Sequence, residues 1–475
     1  MARAAETAEV RGSAAVSGDG VLRVRAGSAF ICGCVLSCGS AIRVTSRRAA
    51  GPLVTVEPFF PECSTCSLSF DSSLLSVEAK QPPAPSLPTG WLYLCESVSQ
   101  SAPYETPCIC LCGAKSVGKS TLCRALANSL LTRASCRRVA LLDTDPGQQM
   151  LGTPGTISLR CFDSPIVSQP VLSEQSLFEP LACEFIASSS PKYDIDSFKS
   201  ACARLVELYN QQLHPHGIPL VVNTMGWVKG IGFECLCYLL RLLRLTQVVE
   251  LLRADDHQSA FPNGAFWVDC NIDPASQLNI QTVRVEGVSC CKNSAEDRGV
   301  LWQRWVQRTL AAMKEQGYWS ASSLAPCEPS TSACEGFAQA LCRMPAYRVP
   351  LSKIRVRVMS NVYEPQSSRD AVMTALAKPV GLLDVDDACI GVGVVRSVHM
   401  SRHRQKQQLK VNVLAPLVAK HMKRVNCLVV GQLELPQAFM KPGQGLDSPF
   451  VSHFGVQDSG TGAKVKRGRS DLIRS

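Results

Sequence analysis

No apolar run in this sequence is long enough to cross a membrane. Its most apolar helical stretch, Cys235 to Leu245, is interrupted by Arg241 and Arg244, whereas a spanning helix needs about 20 apolar residues in a row. The N-terminus, Met-Ala-Arg-Ala-Ala-Glu, never builds the apolar core of a secretion signal. Both absences predict an intracellular chain with no membrane partner. Histidine is scarce, at seven, and only His214 and His216 are close together, with Pro215 between them; that spacing reads as a loop. There is one Cys-x-x-Cys, Cys63 to Cys66, with no second pair and no histidine cluster beside it, so a zinc site is not expected. The 24 cysteines are spread along the whole chain and read as small buried apolar residues in a reducing compartment. An Asn-Lys-x-Asp guanine signature and internal repeats are also missing. Acidic residues are few in one place: Arg396 to Ser475 holds 14 Lys+Arg against 4 Asp+Glu, which leaves 35 against 35 elsewhere, so the whole net charge of +10 lies in the last sixth. Such a concentration suits a polyanionic partner, although a solvated face and a basic tail would give the same count.

What is present is ample core material, 46% hydrophobic and 19% charged over 475 residues, enough for roughly three domains of about 150 residues each. The most informative stretch is Gly113-Ala114-Lys115-Ser116-Val117-Gly118-Lys119-Ser120-Thr121, a full match to G-x-x-x-x-G-K-[ST]. An apolar, strand-length run, Cys108 to Cys112, precedes it. Leu122, Ala125, Leu126 and Leu130 follow on one helical stripe. Strand, glycine loop and helix are the setting in which this motif cradles the phosphates of a nucleoside triphosphate. All nine residues are therefore expected to bind ATP, with Lys119 reaching the β/γ-phosphates and Ser120 ligating Mg²⁺.

A second strand, Val139 to Leu142, leads into Asp143-Thr-Asp145-Pro-Gly-Gln148. Carboxylates there suit a ligand to metal-bound water or a general base, and Asp143 and Asp145 share a face if the strand continues. A third strand, Pro219 to Val222, ends in Asn223-Thr224-Met-Gly226-Trp227. Polar residues at a carboxyl strand end point into the crevice of an open α/β sheet, while Trp227 taken alone reads as a core residue. The expected fold class is α/β: a P-loop NTPase-type parallel sheet with helices on both faces, flanked by N- and C-terminal β-rich domains. The expected boundaries are an unstructured 1–20, a β-rich domain and linker over 21–100, a P-loop domain over 104–319, a Ser/Pro-rich linker over 320–336, a second β-rich domain over 337–460 and a basic tail over 461–475.

The ordered set of phosphate loop, Asp143 to Gln148, Thr153 to Leu159, Ser188 to Pro191 and Val221 to Trp227 resembles the polynucleotide 5′-hydroxyl kinase family. With Arg424 to Pro436 it is similar to that family's nucleolar, pre-ribosomal-RNA-processing branch. The resemblance runs in patches from Pro107 to Pro436 and does not extend to specific motifs in the first hundred residues. It implies transfer of the γ-phosphate of ATP, with Mg²⁺, to the 5′-hydroxyl of RNA. It implies that Asp145 acts as base or organises the metal, that Gln148 holds a metal-bound water, and that Ser190 and Pro191 form a clasp. Ser190 stands where the family has Thr or Ser. Thr224 and Gly226 would lie beside the substrate, and Arg298 would be a lid arginine over the γ-phosphate, with Arg304 a second candidate. A partner endonuclease that leaves 5′-hydroxyl ends, a role in ribosome biogenesis, and a place in the nucleus and nucleolus are implied in the same way. A non-catalytic nucleotide-binding scaffold, a switch NTPase and a small-metabolite kinase remain alternatives.

Overall fold

The computed structural model describes residues 6–11, 13–46, 54–58, 65–71, 75–79, 87–134, 136–167, 180–253, 261–262, 266–267, 280–288, 294–315, 341, 344–359, 365–403, 406–436 and 451–452. The expected linker 320–336 and basic tail 461–475 lie outside them, as does Cys63. The chain divides into two compact units: 1–145, 157–181 and 195–292 form one, and 146–156, 182–194 and 293–475 form the other. No helix among the described residues is long and apolar enough to cross a membrane.

The first unit opens with eight strands: β1 (Glu6–Val10), β2 (Ala14–Ala26), β3 (Ala29–Ile31), β4 (Cys34–Leu36), β5 (Ala41–Ser46), β6 (Val54–Pro58), β7 (Cys66–Phe70) and β8 (Leu75–Ala79). They form one antiparallel sheet system. Residues 6–10 and 14–20 are thus strands, contrary to the expected lack of structure. The reason is visible in β2, where Ala14 and Val16 alternate inward and join Leu22, Val24 and Leu68 in a common core. Small residues there fill a tight interior rather than marking a free chain.

Helix α1 (Thr89–Ser101) leads into β9 (Cys108–Gly113), α2 (Lys119–Thr132), β10 (Val139–Asp143) and β11 (Thr156–Phe162), then α3 (Ile195–Gln212), β13 (Leu220–Asn223), α4 (Ile231–Leu242), β14 (Gln247–Leu252) and β15 (Gln281–Glu286). The strand order is β11-β10-β13-β9-β14-β15. Every residue of β9, β10 and β13 is buried, as continuous apolar strands in the middle of an α/β sheet require. The sheet is mixed rather than wholly parallel, because β11 runs antiparallel to β10.

The small β-domain docks on the back of α2. Cys32 and Gly33 make the two-residue turn between β3 and β4, both with positive φ (50° and 88°), as a tight hairpin demands. A Cβ on Gly33 would stand 2.4 Å from the Ala125 carbonyl oxygen. Asn128, fully buried on α2, donates to the Cys32 carbonyl (2.8 Å) and accepts from the Ile166 amide (2.6 Å).

The second unit contains β12 (Ala182–Phe185), α5 (Ser294–Glu315), β16 (Tyr347–Pro350), β17 (Arg355–Val358), β18 (Pro379–Leu383), β19 (Cys389–His403), β20 (Lys406–Leu414), β21 (Cys427–Val430) and β22 (Val451–Ser452). Its sheet runs β16-β20-β19-β18-β21-β17, with β22 beside β19. Trp302 and Trp305 of α5 pack into the same core as Phe185, Val392 and Leu433. The Trp305 indole N–H donates to the Val392 carbonyl at 2.8 Å. Segments 146–156 and 182–194 and helix α5 therefore leave the expected 104–319 domain and pack with the C-terminal sheet: Gly155 meets Leu433, and the Ala187 carbonyl accepts from the Leu433 amide at 2.8 Å.

Candidate active site

Strand β9 ends at Gly113, whose φ of 141° and neighbouring Leu251 carbonyl (2.5 Å from a built Cβ) leave no place for a side chain. The chain then turns through Ser116 (φ 63°) and Gly118 (φ 93°) before α2 begins at Lys119. Its first turn carries no acidic residue, so the N–H groups and positive end of the helix are left for an anion.

Lys119 is buried, and its Nζ donates to the carbonyls of Gly113 (2.9 Å) and Ala114 (2.7 Å). Burial pulls its pKa down to about 8, against the opposing pull of the Asp145 carboxylate. Asp145 is half-buried just past the end of β10, and its charge is felt at the phosphate-loop lysine.

Asp143 differs. It is buried at the last position of β10, opposite Asn223 of β13 in a parallel register. The Asn223 Nδ2 donates to Asp143 Oδ1 (2.9 Å) and to Ser120 Oγ (3.3 Å). Asp143 Oδ1 also accepts from the Asp145 amide at 3.2 Å. Ser120, Asn223 and Asp143 thus form one connected group. The sequence pattern marked Asp143 as half of a pair and Asn223 only as one of the polar residues at its strand end, with no link between them. The available signal was that each is the first polar residue after an apolar strand.

Thr224 is buried and donates its hydroxyl to the Leu111 carbonyl (2.7 Å). It anchors the loop to β9, and its hydroxyl proton is spent on backbone. Gly226 lies so close to the phosphate loop that a Cβ would come within 2.6 Å of the Lys115 Cα. Trp227 is half-buried rather than a core residue.

The remaining expected residues belong to the second unit. Gln148 is half-buried. Ser190 caps a short 3₁₀ turn by accepting from the Lys192 amide (3.4 Å), and Pro191 is its buried first residue. Arg298 and Arg304 both lie on α5.

The donor set suits a hard divalent cation. Ser120, Asp143 and Asp145 offer oxygen ligands, and the buried Asn223 Oδ1 has no hydrogen-bond partner among the described residues. The backbone cradle from Gly113 to Gly118 suits a polyphosphate.

Residues 113–271 match the family model for the P-loop of the mRNA cleavage and polyadenylation factor CLP1. The chain is 28% identical over 382 residues to the polynucleotide 5′-hydroxyl-kinase NOL9 of Arabidopsis thaliana, covering 78% of this chain and 96% of that protein. It is 27% identical to the protein of the same name from Danio rerio, covering 74% of this chain and 50% of that one. The chain is thus similar over most of its length to proteins named polynucleotide 5′-hydroxyl-kinase.

A further relative, the polynucleotide 5′-hydroxyl-kinase GRC3 of Gibberella zeae, is 34% identical over 151 residues, 30% of this chain and 21% of that protein. The chain therefore spans nearly all of the plant member but half or less of the other two. Among solved structures, a Clp1p–Pcf11p complex superimposes with a TM-score of 0.57 at 14% identity, covering 91% of this chain and 99% of that one. At that identity the likeness speaks for the fold. The P-loop α/β architecture with flanking β-rich sheets is thus common to this chain and its distant relatives.

Proposed function

We propose that this chain is an ATP-dependent polynucleotide 5′-hydroxyl kinase acting on RNA. The observation that carries the reading is the buried Lys119 of the phosphate loop, held on the Gly113 and Ala114 carbonyls within the electrostatic influence of Asp145, in a chain whose relatives bear that name. Phosphoryl transfer is mostly positioning and counter-charge. Lys119 and the α2 N-terminus supply positive charge to the β/γ-phosphates. Asp145 accepts the proton of the attacking 5′-hydroxyl, which requires hydrogen-bond reach of about 3 Å. Ser120 and Asp143 would hold Mg²⁺, with Gln148 a further water-holding candidate; the ion, when bound, neutralises phosphate charge. Arg298 is proposed as the lid arginine, Arg304 as its second, and Ser190 and Pro191 as the clasp. Gly226, pressed against Lys115, keeps the β13 loop beside the phosphate cradle.

By the same kinship, the reading extends to pre-ribosomal RNA processing in the nucleolus, together with an endonuclease that leaves 5′-hydroxyl ends. The excess of cationic residues after Arg396 supports a polyanionic substrate. Purified protein incubated with γ-labelled ATP and a 5′-hydroxyl oligoribonucleotide should give labelled RNA. A protein that binds ATP but transfers no label to RNA, DNA or duplex ends would instead be a nucleotide-binding scaffold. Co-purification with a nuclease subunit tests the partner separately.

A further inference from the structure

Asn223 carries polar capacity that folding alone does not use. Its side chain sits at the last position of β13 with 1% of its surface exposed. Its Nδ2 is divided between Asp143 Oδ1 (2.9 Å) and Ser120 Oγ (3.3 Å), while its buried Oδ1 has no partner among the described residues. The backbone around it is already tied: the Asn223 carbonyl accepts from both the amide and the hydroxyl of Thr144, each at 2.9 Å. Strand pairing between β10 and β13 therefore does not depend on the carboxamide. A buried acceptor without a partner points to a missing donor.

The amide's orientation is fixed by its neighbours. Asp143 as a carboxylate only accepts, so Nδ2 and not Oδ1 must face it. Ser120 accepts from the same Nδ2, which leaves its hydroxyl oxygen oriented by a neighbour that cannot move. Oδ1 is then the one acceptor of the carboxamide, and it belongs to a side chain whose Nδ2 touches two oxygens of the proposed cation site.

We propose that Asn223 is a positioning residue for the divalent cation: its Nδ2 locks Ser120 to Asp143 in one geometry, and its Oδ1 accepts a hydrogen bond from a water of the cation's shell. Groups that orient ligands in this way commonly contribute about 10- to 100-fold to metal affinity. The inference rests on the ATP-binding part of the reading above and does not require transfer to RNA.

The test is ATP affinity measured by calorimetry on the full chain, once with Mg²⁺ and once with EDTA. Asn223→Ala and the shape-preserving Asn223→Leu are compared with the unaltered protein, and thermal unfolding confirms that each variant is folded. The expected result is loss of most of the Mg²⁺-dependent gain, about 10-fold or more, with the metal-free affinity changed less than about threefold. Ser120→Ala should lose the same gain, and the double variant Ser120→Ala/Asn223→Ala should lose little more, since the two act as a unit. Retention of the gain in both Asn223 variants, additive losses in the double variant, or an equal fall with and without Mg²⁺ would each overturn the proposal. A protein that shows the Mg²⁺ effect but phosphorylates no 5′-hydroxyl end would refute the kinase reading while leaving this one standing.

Discussion

The indole of Trp91 occupies the space a side chain on Gly118 would need. A Cβ built there falls 2.6 Å from the ring, and Gly118 has φ of +93°. Trp91 is itself held, its Nε1 donating to the Glu286 carbonyl at 2.8 Å. The Val288 amide closes onto the Val117 carbonyl at 3.1 Å. The phosphate loop is thus braced from outside by α1 and by the end of β15.

Gly118→Ala should therefore weaken ATP binding at least about tenfold, through both steric conflict and a backbone angle that L residues resist. Combining it with Trp91→Phe should recover part of the affinity by relieving the ring contact but not the backbone angle. Trp91→Ala should cost about 3–5 kcal/mol of stability, in line with emptying a large buried aromatic site. Calorimetric ATP titration and thermal unfolding read the two effects separately.

Lys119→Met should abolish ATP binding and transfer while leaving the protein folded. The pH dependence follows from the lowered pKa, about 8 in the fold against an ordinary 10.5. Between those values the unfolded chain holds more protons than the folded one, so the stability of the nucleotide-free protein should rise with pH across that window. Lys119→Met should remove that rise. Phosphates draw the proton back, so ATP binding near pH 8–9 should take up protons. Comparing binding heats in buffers of different ionisation enthalpy measures that uptake.

Asp145→Asn should lower transfer by about 10²–10⁴-fold, the usual worth of a general base, with ATP affinity nearly unchanged. Asp143→Asn should act earlier, on the Mg²⁺ requirement, because Asp143 is tied to Ser120 through Asn223. A magnesium titration of initial rates on both variants distinguishes base from metal holder.

Arg298→Ala should reduce kcat by about 10³-fold or more if this arginine supplies charge to the moving phosphoryl group, with little change in the KM for ATP. A similar loss in Arg304→Ala but not in Arg298→Ala would transfer the role along α5.

Asn128→Leu should destabilise the protein by about 2–6 kcal/mol. The Ile166 amide and the Cys32 carbonyl would each be left buried without a partner, at about 1–3 kcal/mol apiece. Thermal unfolding is the check.

The parts of this molecule legible in its sequence are those encoded locally. Gly113 to Thr121 names its own strand, loop and helix. Val139 to Leu142 and Pro219 to Val222 read as strands because their apolar runs are continuous, and the structure places strands there. What escaped depends on pairing between distant segments. Asp143 and Asn223 are 80 positions apart and meet only because β10 and β13 run parallel in that register. The antiparallel direction of β11 (Thr156 to Phe162) escaped for a similar reason: strand direction leaves no mark on composition. Residues 146–156 and 182–194 pack against Leu433, more than 230 positions later. Thr224 has the residue type of a substrate contact, and only its bond to Leu111 gives its structural task.

The seating of Gly33 against Ala125 bears on how this protein can be dissected. A fragment begun at Pro107, just before the phosphate-loop motif, would strip the outer side of α2 and open the surface around Asn128 to water. Nucleotide affinity and solubility should fall together in such a fragment, although the whole of Gly113 to Thr121 is still present. The smallest autonomous piece of the first unit must keep the β3–β4 hairpin, so amino-terminal changes far from any ATP contact should register at the helix whose first residue is Lys119.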